Sequence, residues 1–331
     1  MGFVLKKLAI FPTIILLILI SLGAAPANKV TLHTVDDASG KPINQARAIM
    51  DNALQEMDKS GRYQDIVFFI HGRGKHPAKG MKIMPKFAQK YDLRVIMFHW
   101  PSWTGVTNRP VSHAQAAALQ LKQLLNQLVT FKEQRQAWLD EHQIRFTLFL
   151  HSMGNIVMQE YLLTHHLAGA LPSNLIDNVI FNAADVPVKN HQIWMENIDF
   201  TERTYVTINR SDIILAGSKA IDLIHGKFSG RRLGHAKSKK LTPDNITRNV
   251  SYVDLSQVSG NQHRYYLKSK DSDVNYFFAT IFHGKEAQLT PEQGVYPISR
   301  KKVNGRSIAS TPESKKQKST KPVQDIYEFR R

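Results

Sequence analysis

A chain of 331 residues with 42% apolar side chains can bury one large core with appendages. It has no cysteine, which excludes disulfides, thiolate metal sites and cysteine hydrolases. Its formal net charge of +17 gathers in residues 226–248, with seven cations against Asp244, and in residues 300–331, with ten against three acids. Such an excess fits either a solvated face with a polar tail or contact with an anionic membrane surface or acidic substrate; too few aromatics interleave it for a specific nucleic-acid platform.

The N-terminus carries Lys6 and Lys7, an apolar run from Leu8 to Leu22 and then small residues from Gly23 to Ala27. These are the parts of an export signal, with an uncleaved membrane anchor as the rival reading because Pro26 spoils the cleavage site. Residues 1–27 are therefore set apart from the fold, and the globular part is expected to be exported or anchored.

Residues 43–59 place Ile43, Ala46, Met50, Ala53, Leu54 and Met57 at helical spacing, ended by Ser60-Gly61. Residues 66–70 form a continuous apolar run that stops at His71-Gly72-Arg73-Gly74. Continuous rather than alternating apolar residues read as a strand buried on both faces. A helix is predicted over 81–90, a second buried strand over 93–98, and a long helix over 112–141. The strand over 144–150 runs straight into His151-Ser152-Met153-Gly154-Asn155, followed by a helix from 156 to 166. Strands over 179–182, 204–208 and 250–255 follow, with a closing helix over 274–282. Strands alternating with helices predict a mostly parallel sheet covered on both faces, one α/β domain over 28–290. Residues 291–331 read as a basic, disordered tail.

Sites in such a sheet gather beyond the carboxyl ends of the strands. His71, Ser152, Asp185, Asp212 and His263 all follow predicted strands. Ser152 sits at a strand-to-helix turn of the kind that raises a serine hydroxyl for attack; Gly154 meets the need for a small residue after it, but Leu150 stands where a glycine is usual before it. The bland alternative is a helix cap. A serine hydroxyl needs a base, and the base an orienting acid. His263 is preferred over His283, which reads as a helix C-terminal residue. Asp212 is the preferred acid, with Asp185 as the alternative. The oxyanion donors would be the amides of Met153 and of Arg73, with Gly72 and Gly74 letting that loop approach closely. His71, His76 and His99 raise a metal site only weakly, since no carboxylate stands at ligand spacing.

Taken together, Phe69-Ile70-His71-Gly72, Phe98-His99-Trp100-Pro101-Ser102, the Ser152 elbow, Ala183-Ala184-Asp185-Val186-Pro187 and Ser211-Asp212 resemble the α/β-hydrolase superfamily. Within it they are similar to a bacterial esterase/lipase-like group of unknown function with a His-Ser-Met-Gly-Asn elbow. The resemblance spans about residues 64–285. It implies an α/β-hydrolase fold, a Ser-Asp-His triad and ester or acyl hydrolysis without a cofactor; a small-molecule or lipid ester is the expected substrate, the lipid on the strength of the basic charge and the N-terminal segment alone. Either aspartate remains open as the acid. An acyltransferase with the same residues and a non-catalytic binding module are the alternatives. Residues 213–247 are expected to form a basic flap near the site.

Overall fold

The computed structural model describes residues 29–310, apart from 75–76, 106–107, 167–170, 225–229, 238–240, 243–244, 291–294 and 304–305. The N-terminal apolar segment, His76 and the last 21 residues lie outside the described residues. Among those described, no helix is long and apolar enough to cross a membrane.

In chain order the elements are β1 (Thr31–Thr34), β2 (Lys41–Pro42), α1 (Ala46–Ser60), β3 (Ile66–Ile70), α2 (Ala78–Met81), α3 (Met84–Tyr91), β4 (Arg94–His99), α4 (Val111–Glu141), β5 (Phe146–His151), α5 (Gly154–Thr164), β6 (Ile176–Asn182), α6 (His191–Met195), β7 (Thr201–Ile208), α7 (Ile213–Ile224), β8 (Val250–Asp254), α8 (Tyr265–Lys268), α9 (Ser272–Phe282), β9 (Val295–Pro297), β10 (Ser299–Val303) and β11 (Arg306–Ser310). One nine-stranded sheet runs β2-β1-β4-β3-β5-β6-β7-β8-β9. From β4 to β9 every pairing is parallel, and the short β1 and β2 add an antiparallel edge. This is the mostly parallel sheet, covered on both faces, that the run of alternating elements predicts.

The continuous apolar runs have the cause inferred for them. Ile66, Phe68 and Ile70 of β3 pack into one core cluster with α1, α4 and α5, while Val67 and Phe69 enter a second cluster with α3 and α9 on the other face. Successive side chains of a strand point to opposite faces, so a strand covered on both sides cannot alternate polar with apolar. Gly61 ends α1 with φ 64°, a left-handed cap that a residue with a Cβ adopts only at a cost.

Two expectations need correction. The domain does not stop at residue 290: Val295–Pro297 adds the ninth strand, paired with Tyr252, Val253 and Asp254 of β8, and β10 pairs antiparallel with β11. Three residues are too few for a strand signal, and only the open edge of β8 reveals their place. The segment 213–247 is not one basic flap. It opens with α7, and residues 231–234 pack against residues 184–188 through the Val188 N–H to Arg231 O, Leu233 N–H to Val186 O and Gly234 N–H to Ala184 O hydrogen bonds. Arg232, counted as part of a basic face, is 1% exposed and belongs to the interior.

Candidate active site

β5 delivers Ser152 to the carboxyl edge of the sheet, and the turn into α5 forces it to φ 56°. A non-glycine residue in this left-handed region is held there by its surroundings. The Ser152 N–H donates to Asn182 O at 3.0 Å, and its carbonyl accepts from the Asp185 and Asn155 amides, each at 3.2 Å. The buried Asn155 side chain adds a third bond, Nδ2 to Ser152 O at 2.7 Å. Asn155, to which the sequence reading gave no role of its own, thus ties the turn together.

The turn needs small neighbours. A Cβ on Gly154 would lie 2.4 Å from Ile70 O, and one on Gly72 would lie 2.7 Å from Ser152 Cβ. Leu150, the departure from the usual pattern, is fully buried in the cluster shared with α1, α4 and α5. The close approach at this turn falls on Gly72 and Gly154, so position 150 is free to fill the core.

Asp212 follows β7 and is fully buried at the start of α7. Its Oδ1 accepts the Ile214 and Leu215 amides at 2.9 and 3.1 Å, and its Oδ2 accepts Nδ1–H of His263 at 2.7 Å. The proton on Nδ1 leaves Nε2 of His263 as an acceptor. His263 is brought back to this edge by Asn209, whose Nδ2 bonds the carbonyls of Gly260 and Gln262, both at 2.9 Å. Its ring lies 4.8 Å, centroid to centroid, from that of His151, the residue preceding Ser152. The His151 imidazole is held neutral: burial, then the neighbouring His263, push it well below the ordinary histidine range.

Asp185 is elsewhere engaged. Its Oδ1 takes Arg109 at 3.0 Å, Arg232 Nε at 3.0 Å and Ser218 Oγ at 2.8 Å, while Arg232 Nη2 also pairs with Asp222. Arg232, Asp185 and Asp222 of this group are buried and Arg109 half-buried, and together they anchor α7 and the 231–234 segment to the loop after β6. The geometry thus pairs His263 with Asp212 and not with Asp185. His283 bonds Asp65 at 2.6 Å, just before β3 and so at the opposite edge from Ser152.

The loop after β3 faces the Ser152 hydroxyl and is clamped by the Trp100-Pro101-Ser102 segment. Trp100 Nε1 donates to His71 O at 2.8 Å; Ser102 Oγ accepts the Gly74 amide at 2.9 Å and lies 3.0 Å from Gly72 O. His71 Nδ1–H donates to Gly72 O at 2.6 Å, so its Nε2 accepts from Nδ1 of His99 at 2.7 Å. Burial lowers the His71 pKa to about 4, keeping it neutral. Among the described residues no group of histidines and carboxylates is arranged to hold a metal ion. The Arg73 side chain lies over the Trp103 ring at 5.6 Å and donates to Asn108 O, leaving its role here to the backbone. Met153 forms the N-cap of α5.

Residues 45–273 match the family described as "Alpha/beta hydrolase of unknown function (DUF900)". The chain belongs to this α/β-hydrolase family. The family's matched span covers Ser152, Asp185, Asp212 and His263 and ends at the second residue of α9. Among solved structures the chain is similar to TT1662 from Thermus thermophilus, at 12% identity and a TM-score of 0.34 over 68% of this chain and 90% of that one. It is also similar to a thermostable carboxyl esterase from Bacillus coagulans, at 17% identity and a TM-score of 0.20 over 38% of each chain. No curated protein matches the sequence.

Proposed function

We propose that this α/β hydrolase is a serine hydrolase that cleaves an ester or acyl bond, with Ser152 as nucleophile, His263 as general base and Asp212 as the acid that orients it. The observation that carries this reading is the 2.7 Å His263–Asp212 hydrogen bond on the same sheet edge as a serine held at φ 56°. His263 Nε2 takes the Ser152 Oγ proton as Oγ bonds to the substrate carbonyl carbon. The negative charge that develops on the carbonyl oxygen is met by the Met153 and Arg73 amides, with Gly72 allowing the approach. Collapse breaks the bond to the leaving group, which takes the proton back from Nε2. Water then repeats the cycle on the acyl-enzyme and frees the acid. Asp212 stays ionised and stabilises the imidazolium that forms in each half.

Labelling with a fluorophosphonate tests this. Covalent modification should occur on Ser152 and vanish in Ser152→Ala and His263→Ala; a well-folded protein that takes no label overturns the reading in favour of a binding module. An added alcohol that captures the acyl group faster than water would make the enzyme an acyltransferase. Export or N-terminal anchoring belongs to the same proposal, supported by Lys6, Lys7 and the apolar run from Leu8 to Leu22. Fractionation of cells that express the full chain checks it, and recovery in the cytosol refutes it.

A further inference from the structure

A cavity of about 620 Å³ opens between the loop that leads from β6 into α6 and residues 231–245, lined among others by Val188, Lys189, Gln192, Arg231, Lys237 and Asn245. None of Ser152, His263 and Asp212 lines it, yet both of its walls are tied to them. On one side, the Asp185 amide bonds Ser152 O at 3.2 Å, and Val188 lies three residues further on. At about 3.5 Å per extended residue, the cavity wall begins within roughly 14 Å of the Ser152 backbone. On the other side, Gly234 O accepts the Asn209 amide, and Asn209 O accepts the amide of Asp212. The two walls pair as a short antiparallel ladder, with Pro187 opposite Arg232.

The ladder sorts two adjacent arginines. Arg232 turns inward to Asp185 and Asp222, and Arg231, its neighbour, lines the cavity. Successive side chains of extended backbone point to opposite sides, so neutralising one cation in the interior puts the next into the cavity. Arg231 is also held in place: Nη1 donates to the carbonyl of His235 at 3.1 Å and lies 3.2 Å from its Nδ1. Burial, followed by the Arg231 charge, lowers the pKa of His235, so its ring accepts from the guanidinium without adding a competing charge. Arg231 thus keeps its charge for the cavity. None of the described lining residues is a carboxylate. Three cations, with no counter-charge among the described lining residues, form a cavity that an oxyanion can enter with charge-assisted hydrogen bonds.

We propose that this cavity is an anion subsite: it receives a carboxylate or phosphate carried by the ester that Ser152 cleaves, so the substrate class is an anionic ester. This rests on the reading of Ser152 as nucleophile. The seven cations of residues 226–248 then divide by task, with Arg232 in the interior and Arg231 and Lys237 at the substrate.

The test uses the full chain and the triple variant Lys189→Gln/Arg231→Gln/Lys237→Gln. Lys189 and Lys237 are exposed and Arg231 partly so, and near-ultraviolet circular dichroism verifies that the variant keeps its fold. Calorimetric titration of the Ser152→Ala protein with inorganic phosphate and with glutarate separates the two oxyanions. At least one should bind saturably and weaken by about tenfold or more in the triple background, the size expected for a lost charge-assisted hydrogen bond. In turnover, mono-p-nitrophenyl esters of glutarate, adipate and suberate are compared with neutral p-nitrophenyl butyrate. The triple variant should raise KM for an anionic ester by about tenfold or more and change the neutral ester less than about twofold. Equal effects on neutral and anionic esters, or unchanged binding of both anions, overturn the subsite. Fluorophosphonate labelling keeps the two readings apart: a labelled protein without anion dependence sinks the subsite alone, whereas anion binding lost in the triple variant of an unlabelled protein upholds the anion site and sinks the hydrolase reading.

Discussion

Replacing Asp212 by asparagine separates catalysis from stability. Asp212 accepts two amides at the start of α7 and the His263 Nδ1–H. Asparagine is as good a helix cap as aspartate, so its Oδ1 can keep the bonds to Ile214 and Leu215, and unfolding should change by no more than about 1 kcal/mol. With Oδ1 so occupied, the carboxamide presents Nδ2 to His263. Two donors cannot face each other, so the imidazole shifts its proton to Nε2 and can no longer accept from Ser152. In serine enzymes this change of tautomer costs on the order of 10⁴ in kcat, and a loss of about 10³ to 10⁴ is expected here. Asp185→Asn is the counterpart. It removes one of two carboxylates that neutralise Arg109 and Arg232, of which Arg232 is 1% exposed. Breaking such a buried set costs about 3–5 kcal/mol in stability, with activity per folded molecule largely kept. The measurements are p-nitrophenyl butyrate hydrolysis at saturation and urea unfolding of each variant. An Asp212→Asn protein that keeps its kcat, or an Asp185→Asn protein that is fully stable yet inactive, would refute the acid assignment.

Restoring the usual glycine at position 150 should hurt the protein, because Leu150 is fully buried: Leu150→Gly is expected to lose at least about 3 kcal/mol by urea unfolding with no gain in kcat. Ser102→Ala removes the hydroxyl that accepts the Gly74 amide and lies 3.0 Å from Gly72 O; on the proposed mechanism, in which this loop carries the Arg73 oxyanion donor, kcat should fall by about tenfold with KM nearly unchanged. A fall in stability alone would show the Ser102 bonds to be purely structural. Stability should also depend on pH through His71. Its folded pKa of about 4 lies below the unfolded value near 6.5, so the unfolded chain binds more protons between them. Its contribution, at most about 3 kcal/mol, is therefore complete above about pH 6.5 and is lost as pH falls towards 4. His151 adds to the same slope. In His71→Asn, which can keep the bond to Gly72 O, the difference between urea midpoints at pH 7 and pH 4.5 should shrink. An unchanged difference would refute the assignment.

Strand and helix types were legible in the chain because burial on both faces writes itself as unbroken apolar runs such as Ile66 to Ile70, and a covered helix face as the stripe of α4. The elbow was legible for a local reason: strand, turn and helix around Ser152 are consecutive, and Gly154 answers a clash with the neighbouring Ile70 carbonyl. The order of Ser152, Asp212 and His263 along the chain likewise follows from strand order. What the sequence could not decide was pairing between distant residues. Asp185 and Asp212 both follow strands, and only the packing of α7 and residues 231–234 gives the first to Arg109 and Arg232 and leaves the second to His263. Arg231 and Arg232 look alike in a basic stretch, yet one is buried against carboxylates and the other faces a cavity, a difference set by which side of a short ladder each points to. Composition and periodicity record how much of a segment is covered; which charge meets which is a property of the assembled edge, where Arg109 meets Asp185 across 76 positions of chain.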